Sequence, residues 1–181
     1  ITIGDAAFAE CAELIDVTIP DSVTSIGWLA FENCMSLTII SVDSNNQYYS
    51  SDECGTLFNK DKTILIRYPI GNTRTDYVFP NSVTTIEREA FHNCNSIKTI
   101  TMGDNLTTIG YGAFHNCSNL ETITIPDSIA TIDEWAFENC YHLTDIYYSG
   151  TEEQWEVVVI KDYNDPLLNA TIHLAKASNP S

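Results

Sequence analysis

A 23-residue repeat constrains the fold of this chain more than any other feature of its sequence. Counting the Ala of each copy as position 1, the copies begin at Ala7, Ala30, Ala90, Ala113 and Ala136. Phe follows at position 2, Cys at position 5 and Leu or Ile at position 8, with apolar residues at positions 11 and 13. Most copies also carry apolar residues at positions 17 and 20. Copies that keep one register are typical of a repeat architecture.

Two spacings within each copy predict two kinds of local structure. Positions 1, 2, 5 and 8 follow the helical interval, so the AFxxCxxL segment predicts one short helical turn. Positions 11 and 13 alternate with polar residues, which predicts a strand with one buried face. Pro at position 14 (Pro20, Pro80 and Pro126) ends that strand because it cannot donate to a strand ladder. The Val-x-x-Ile of positions 17 to 20 predicts a second, shorter strand.

One such coil is too small to be stable alone. The apolar side chains of one copy bury too little surface to offset the conformational entropy of ordering its residues. Neighbouring coils must therefore cover its apolar faces and pair its strands, as they do in a solenoid. The repeat predicts a mostly β solenoid of short parallel strands, with one helical turn in each coil of about 23 residues.

The repeat is interrupted once and ends before the C-terminus. The 60 residues from Ala30 to Ala90 exceed one repeat by 37, and we assign residues 43–76 to an inserted segment. Its apolar runs, 55–58 and 64–68, predict a β-hairpin. We expect the insertion to leave the solenoid after Val42 and to return before Tyr77.

A different pattern follows Tyr148, and we assign residues 149–174 to a C-terminal capping segment. Thr151 followed by Gln154 predicts a capping box and a short helix. Residues 169–174 predict a last strand, and residues 176–181 predict a linker or frayed end. The whole chain, 1–181, is expected to form a single repeat domain. Because it opens at Ile1 in mid-pattern, we expect it to be part of a longer protein.

The charge of the chain excludes two classes of partner. Its 25 acidic and 8 basic residues give a formal net charge of −17, which repels phosphate backbones and anionic lipid heads. We therefore expect no nucleic-acid partner. No apolar run approaches the roughly 18 residues of a membrane helix, so we expect no membrane insertion.

The repeat resembles the BspA-type (Treponema pallidum-like) bacterial leucine-rich repeat. The residues that carry the resemblance are Ala113, Phe114, Cys117, Leu120, Ile123, Ile125, Pro126, Ser128, Ile129 and Ile132. The resemblance implies a curved, right-handed leucine-rich-repeat solenoid of the α/β repeat class. It also implies an extracellular or cell-surface location and a role in protein binding or adhesion.

Cysteine and histidine columns are the first candidates for chemistry. Five Cys share position 5, and in-register coils would bring their thiols together as disulfides, as a metal column or simply as small apolar side chains. We favour the small apolar side chains, because neighbouring Cβ vectors would run parallel. Cys54 lies off the register and is a candidate reactive thiol. His92 and His115 share position 3 and could stack, but we favour solvent-facing residues over a metal site because no third ligand is in register.

No pattern in the chain indicates catalysis. It lacks a nucleophile elbow, an HExxH motif and a Gly-rich phosphate loop, so we expect no enzyme activity and no cofactor. The acidic segments 43–46 and 162–165 lack a complete Ca²⁺ loop, and we interpret them as turns. Position-4 Asn residues are interpreted as turn residues that adopt positive φ or bond the nearby backbone.

The outward positions of the longer strand are the candidate binding face. Positions 10 and 12 of each coil are free of core packing, and solenoids bind partners on such extended surfaces. These residues are Asp16, Thr18, Ile39, Ser41, Asp76, Val78, Thr99, Thr101, Thr122, Thr124, Asp145 and Tyr147. We hypothesise a monomeric module that binds a protein or glycan ligand, such as one derived from a host, through this face and the hairpin. The alternative is a passive spacer that presents other domains of a longer chain.

Overall fold

The computed structural model describes residues 1–175 and contains short strands joined by turns. The strands are β1 (Thr2–Ile3), β2 (Asp16–Ile19), β3 (Ser25–Ile26), β4 (Ile39–Val42), β5 (Tyr49–Ser51), β6 (Leu57–Asn59), β7 (Ile64–Arg67), β8 (Asp76–Val78), β9 (Thr85–Ile86), β10 (Thr99–Thr101), β11 (Thr108–Ile109), β12 (Thr122–Ile125), β13 (Thr131–Ile132), β14 (Asp145–Tyr148), β15 (Val159–Ile160) and β16 (Thr171–Leu174). Two helices, α1 (Glu152–Glu156) and α2 (Asp165–Asn169), flank β15.

Equivalent positions of successive coils pair in parallel, as the repeat predicts. The longer strands form a five-stranded sheet in the order β16-β14-β12-β10-β8 and a separate pair, β2-β4. The shorter strands form a seven-stranded sheet, β15-β13-β11-β9-β7-β6-β5, and the pair β1-β3. In the five-stranded sheet Ile100 lies opposite Ile123, and Ile123 opposite Ile146, so position 11 pairs with position 11 in each coil.

The core lies inside the coils and is built from the repeated apolar positions. Phe91, Phe114 and Phe137 are fully buried, and their rings stack at centroid distances of 5.0 and 5.1 Å. The position-11 residues Ile100 and Ile123 are also 0% exposed. The apolar set chosen from the register is therefore the core from Ala30 onward, whereas in the first copy Phe8 is half-buried and Cys11 is exposed. The burial of position 11 confirms the predicted orientation of the longer strands.

The AFxxC segment is a series of turns rather than a helical turn, and that part of the prediction is wrong. Its hydrogen bonds span three residues: the His92 N–H donates to Glu89 O at 3.1 Å and the Cys94 N–H to Phe91 O at 3.0 Å. Asn93 between them has φ of 63°, in the left-handed region, which a helix cannot continue through. The helical spacing of the apolar residues came from a tight corner that turns at a similar angle.

The inserted segment forms a coil of the stack, contrary to the expectation that it leaves the solenoid. Strands β6 and β7 pair antiparallel as the predicted hairpin, but β7 also pairs in parallel with β9. Tyr68 then takes the place of the position-2 Phe. Its ring stacks on Phe91 at 4.9 Å, and its N–H donates to Ala90 O at 2.8 Å. We call residues 57–71 coil 3; coil 2 contains Ala30, and coil 4 contains Ala90.

The C-terminal segment covers the last coil with polar contacts that the sequence only partly predicted. Thr151 and Gln154 form the predicted capping box at α1. Asn164, 1% exposed, accepts from the Phe137 N–H at 2.9 Å and donates to Asp133 O at 2.9 Å, pairing groups that a further coil would otherwise pair. The predicted linker at 176–181 lies outside the described residues.

Candidate functional site

The predicted face consists of side chains that alternate with the core along each longer strand. In β12, Ile123 and Ile125 are 0% exposed, whereas Thr122 and Thr124, which alternate with them, are half-buried and point away from the core. All twelve predicted residues are half-buried or exposed. The strand pattern therefore places them outside the core, where a ligand could contact them; whether one does is a separate question.

Coil 3 divides this face into two patches. The C-terminal patch lies on the five-stranded sheet, and the N-terminal patch lies on the β2-β4 pair, with no strand pairing between β4 and β8 among the described residues. In the C-terminal patch one row is Asp76, Thr99, Thr122 and Asp145 and the other is Val78, Thr101, Thr124 and Tyr147. The N-terminal patch holds Asp16 opposite Ile39 and Thr18 opposite Ser41.

Two residues of the C-terminal patch were missing from the sequence prediction. Strand β16 adds Thr171 beside Asp145 and His173 beside Tyr147. The His173 ring stacks on Tyr147 at 4.6 Å, and its Nε2 lies 2.6 Å from a carboxylate oxygen of Asp145. The alternation in Thr-Ile-His-Leu indicated a strand, but the register of that strand depends on the preceding helix α2 and could not be read from the repeat.

The C-terminal patch offers groups that suit binding. It combines Thr hydroxyl groups with exposed apolar surface, since Val78 is 65% and Tyr147 48% exposed. Hydrogen bonds from Thr144 and His173 lower the pKa of Asp145 and keep it ionised. With the carboxylates of Asp76 and Asp145 in one row, the patch offers hydrogen bonds, negative charge and apolar contact area.

The cysteine column is structural, as favoured from the sequence, but it also donates hydrogen bonds. The Cys117 thiol lies 3.1 Å from Phe91 O, and the Cys140 thiol lies 3.1 Å from Phe114 O in the preceding coil. Burial raises the pKa of the Cys140 thiol to about 12, so it remains protonated and can donate. All six cysteines are free thiols. Burial also raises the pKa of Cys54, which argues against the reactive thiol considered for it.

The position-4 asparagines form a ladder along the stack. The amide of Asn116 donates to Asn93 at 3.0 Å, and that of Asn139 donates to Asn116 at 2.7 Å. Asn93 donates in turn to Asn33, 60 residues earlier, at 3.1 Å. All four residues have positive φ, which confirms the prediction that they are turn residues. The ladder also shows that the turn of coil 2 lies directly against the turn of coil 4.

The same contact brings together a charged cluster that the sequence did not predict. Glu32 of coil 2 accepts from Arg67 at 3.2 Å and lies 2.7 Å from His92 of coil 4. These three side chains are 10–17% exposed, so His92 is not the solvent-facing residue that we expected. His92 does stack on His115, at 5.1 Å, as its shared position suggested.

The cluster is better described as an ion-pair network than as a metal site. Possible ligand atoms of Glu32, Glu89 and His92 lie within 4.8 Å of one another. The Arg67 guanidinium, however, already neutralises Glu32 and would repel a cation beside it. Burial raises the pKa of Glu32, but the hydrogen bond with His92 and the charge of Arg67 outweigh it, and the net shift is downward.

The lowered pKa of Glu32 predicts a loss of stability in acid. The ionised Glu32 stabilises the folded state above its ordinary pKa of 4.5, and that contribution is lost as the pH falls through the lower folded pKa. In urea unfolding, Glu32→Gln should therefore destabilise the protein at pH 7, and the difference from wild type should shrink between pH 4.5 and pH 3. Glu138→Gln, at the same repeat position, is the control. A difference that stays constant with pH would contradict the assignment.

A known family of repeats matches most of this sequence. The family model of the BspA type leucine rich repeat region matches residues 1–59 and 71–165, in six copies. The chain belongs to this family. The solenoid predicted from the register and the leucine-rich-repeat fold implied by the resemblance are therefore confirmed.

Solved structures share this fold. A leucine-rich repeat protein from Eubacterium ventriosum is 30% identical, with a TM-score of 0.73 over 88% of this chain and 42% of its own. A leucine rich cell surface protein from Faecalibacterium prausnitzii is 26% identical, with a TM-score of 0.59 over 87% of this chain and 54% of its own. The pneumococcal vaccine antigen PcpA is 22% identical, with a TM-score of 0.72 over 98% of this chain and 49% of its own.

This BspA-type chain spans about half the length of these three solved structures. A comparison with curated proteins finds no match. Among residues 1–175, no helix is long and apolar enough to cross a membrane.

Proposed function

We propose that this BspA-type solenoid is a non-enzymatic binding module of a secreted or cell-surface bacterial protein, and that it binds a protein or glycan ligand through the C-terminal patch. The main observation behind this proposal is the in-register pairing of the strands that form the patch. Four coils and β16 align outward side chains in two rows, and the core does not use them. Extended repeat surfaces of this kind serve as binding surfaces in solenoid proteins.

The centre of the binding site is proposed to lie at the C-terminal end of the patch. Tyr147 combines an exposed ring with a fixed position, because His173 stacks on it and Asp145 holds His173. Aromatic side chains with restrained conformations contribute much of the energy of many interfaces, since little side-chain entropy is lost on binding. The same ring could contact the apolar side chain of a protein or the face of a sugar.

A surface location and a host-derived ligand are supported by resemblance to other proteins. One similar structure is a leucine rich cell surface protein, and another is a pneumococcal vaccine antigen. Surface exposure would place the patch where extracellular proteins and glycans can reach it. The acidic net charge of −17 favours ligands that are neutral or basic over nucleic acid.

The alternative is a spacer, and one observation favours it. The outward residues of the central coils are all Thr: Thr99, Thr101, Thr122 and Thr124. Thr suits an exposed strand whatever the strand does, so these four residues do not by themselves indicate a ligand. The two functions differ in whether changes to the patch affect adhesion.

A matched pair of tyrosine variants tests the proposal. Tyr147→Ala removes a ring from the patch, and Tyr141→Ala removes one that is 74% exposed on the turn side. Binding of the purified chain to immobilised extracellular-matrix proteins and mucin glycans is measured. We expect Tyr147→Ala to weaken binding about tenfold or more, the effect of an interface hot spot, and Tyr141→Ala to leave it unchanged. Equal binding by both variants and wild type would favour the spacer.

A further inference from the structure

Coil 3 takes a shorter path around one corner of the solenoid than the other coils do. In a regular coil, four residues lie between position 20 of one copy and position 2 of the next copy. Residues 87–90, between Ile86 and Phe91, are an example. The equivalent residues of coil 3 are Leu65, whose carbonyl accepts from the next coil as Ile86 does, and Tyr68, which replaces Phe. Only Ile66 and Arg67 lie between them. Coil 3 therefore lacks two residues at this corner.

A cavity lies where those two residues would be. Its volume is about 340 Å³, within the range of small ligand-binding pockets. Residues 26–32 of coil 2 form one wall, residues 87–89 of coil 4 form the other, and Leu57, Ile66 and Arg67 form the floor. We call this the corner cavity.

On both walls of the corner cavity there are backbone groups that have no hydrogen-bond partner among residues 1–175. In the other coils the N–H groups of positions 23 and 2 donate to carbonyls of the next coil, as Glu89 does to Tyr111 and Phe91 does to Ala113. The equivalent N–H groups of coil 2, on Leu29 and Phe31, make no hydrogen bond within residues 1–175. The pattern of the other coils directs these two donors toward coil 3.

On the opposite wall, one backbone carbonyl has no hydrogen-bond donor among residues 1–175. The position-22 carbonyls of Trp28, Tyr111 and Glu134 each accept from the preceding coil. The equivalent carbonyl of Arg88 accepts no hydrogen bond from any described residue. The corner cavity thus separates two donors, two residues apart, from one acceptor, which is the arrangement at the edge of an unfinished strand ladder.

We propose that the corner cavity binds a short extended peptide segment of a partner protein, one that carries a basic side chain next to an apolar side chain. The inference rests on the proposed binding function and adds a second site to it. Alternate carbonyls of an extended peptide can accept from Leu29 and Phe31, and its N–H can donate to Arg88, as in recognition by strand addition. Ile66 on the floor is only partly buried and would pack against the apolar side chain.

The charged residues that line the corner cavity favour a basic side chain in the bound peptide. Three carboxylates line the corner cavity against two guanidinium groups. Arg67 is paired with Glu32, and the Arg88 guanidinium lies over the rings of Trp28, at 4.6 Å, and Tyr111, at 5.1 Å. Glu87 and Glu89 have no salt-bridge partner within residues 1–175, so the rim of the cavity is acidic on the coil 4 side.

Hydrogen exchange of the free protein tests whether the amide groups of Leu29 and Phe31 lack hydrogen-bond partners. The amide protons of Leu29 and Phe31 should exchange at least tenfold faster than those of Glu89 and Phe91, which occupy the equivalent positions before and in coil 4 and are hydrogen-bonded. Equal protection of Phe31 and Phe91 would overturn the proposal, because the two donors would then already be satisfied.

Titration with two blocked peptides tests the binding. Acetyl-Ala-Lys-Leu-Ala-amide is expected to produce saturable shifts of the Leu29 and Phe31 amide signals and to slow their exchange. Acetyl-Ala-Glu-Leu-Ala-amide should bind at least threefold more weakly. Absence of saturable shifts with the Lys peptide, or equal affinity for both peptides, would overturn the proposal.

Variants locate the peptide and separate the two sites. Glu87→Gln with Glu89→Gln should weaken Lys-peptide binding at least threefold, whereas Glu134→Gln, outside the cavity, should not change it. Unaltered affinity in the double variant would contradict the charge argument. Tyr147→Ala should leave peptide binding intact. Wild-type protein that binds the Lys peptide but not the matrix or mucin ligands, or those ligands but not the Lys peptide, would show which of the two proposals fails.

Discussion

Phe114→Ala is expected to lower the free energy of unfolding by about 3–5 kcal/mol, the range for truncating a buried aromatic side chain. The ring is 0% exposed and lies between Phe91 at 5.0 Å and Phe137 at 5.1 Å. Its removal would leave a cavity between two stacked coils, which the regular backbone ladders on either side hold apart. Urea unfolding of the wild type and the variant measures the difference.

Phe8→Ala is the matched control. Phe8 has the same position in its coil, but it is half-buried and stacks on one ring only, that of Phe31 at 5.5 Å. Less surface is lost from a contact there, so its cost should be clearly smaller than that of Phe114→Ala. A loss below about 1 kcal/mol at Phe114 would contradict its place in the centre of the aromatic column.

Arg67→Ala is expected to cost a similar amount, about 3–5 kcal/mol, for an electrostatic reason. Arg67 is 10% exposed, pairs with Glu32 at 3.2 Å and donates to Glu89 O at 2.7 Å. The variant would leave the Glu32 carboxylate, itself 12% exposed, without its cationic partner in a site that water reaches poorly. Urea unfolding at pH 7 measures the loss.

Arg67→Met combined with Glu32→Gln separates the effect of the unpaired charge from that of the lost backbone hydrogen bond. The double variant removes both charges and keeps most of the volume, so its stability should lie closer to wild type than that of Arg67→Ala. If the double variant is as unstable as Arg67→Ala, the contribution of Arg67 comes from its hydrogen bond to Glu89 O, which both variants lack, and not from the ion pair.

Much of the candidate face could be predicted because strand alternation is local. A residue such as Thr124 lies between two apolar neighbours in sequence, Ile123 and Ile125, and a strand must then place it on the opposite side from them. The capping box of Thr151 and Gln154 is equally local, since both of its hydrogen bonds lie within four residues. Such features depend on the nearest residues of the chain and on no distant contact.

Other features could not be predicted from the sequence because they depend on which coils lie next to each other. Glu32 and His92 are 60 residues apart, and no periodicity indicates that the inserted segment lets their two turns meet. The place of His173 beside Tyr147 depends on α2, which sets the register of β16. The AFxxC turn was mistaken for a helical turn because a corner with a positive-φ Asn spaces its apolar residues in much the same way.

The sequence by itself determined the 23-residue coil, its buried positions and the outward rows of the longer strands, because a repeated pattern of apolar residues leaves one packing for each copy. Only the tertiary structure decided how the 37 additional residues are accommodated. They include coil 3, separate β4 from β8 and shorten one corner by two residues. The physical reason is that the strand edges of coils 2 and 4 can be paired by any segment of suitable length, and the repeat pattern does not specify that segment.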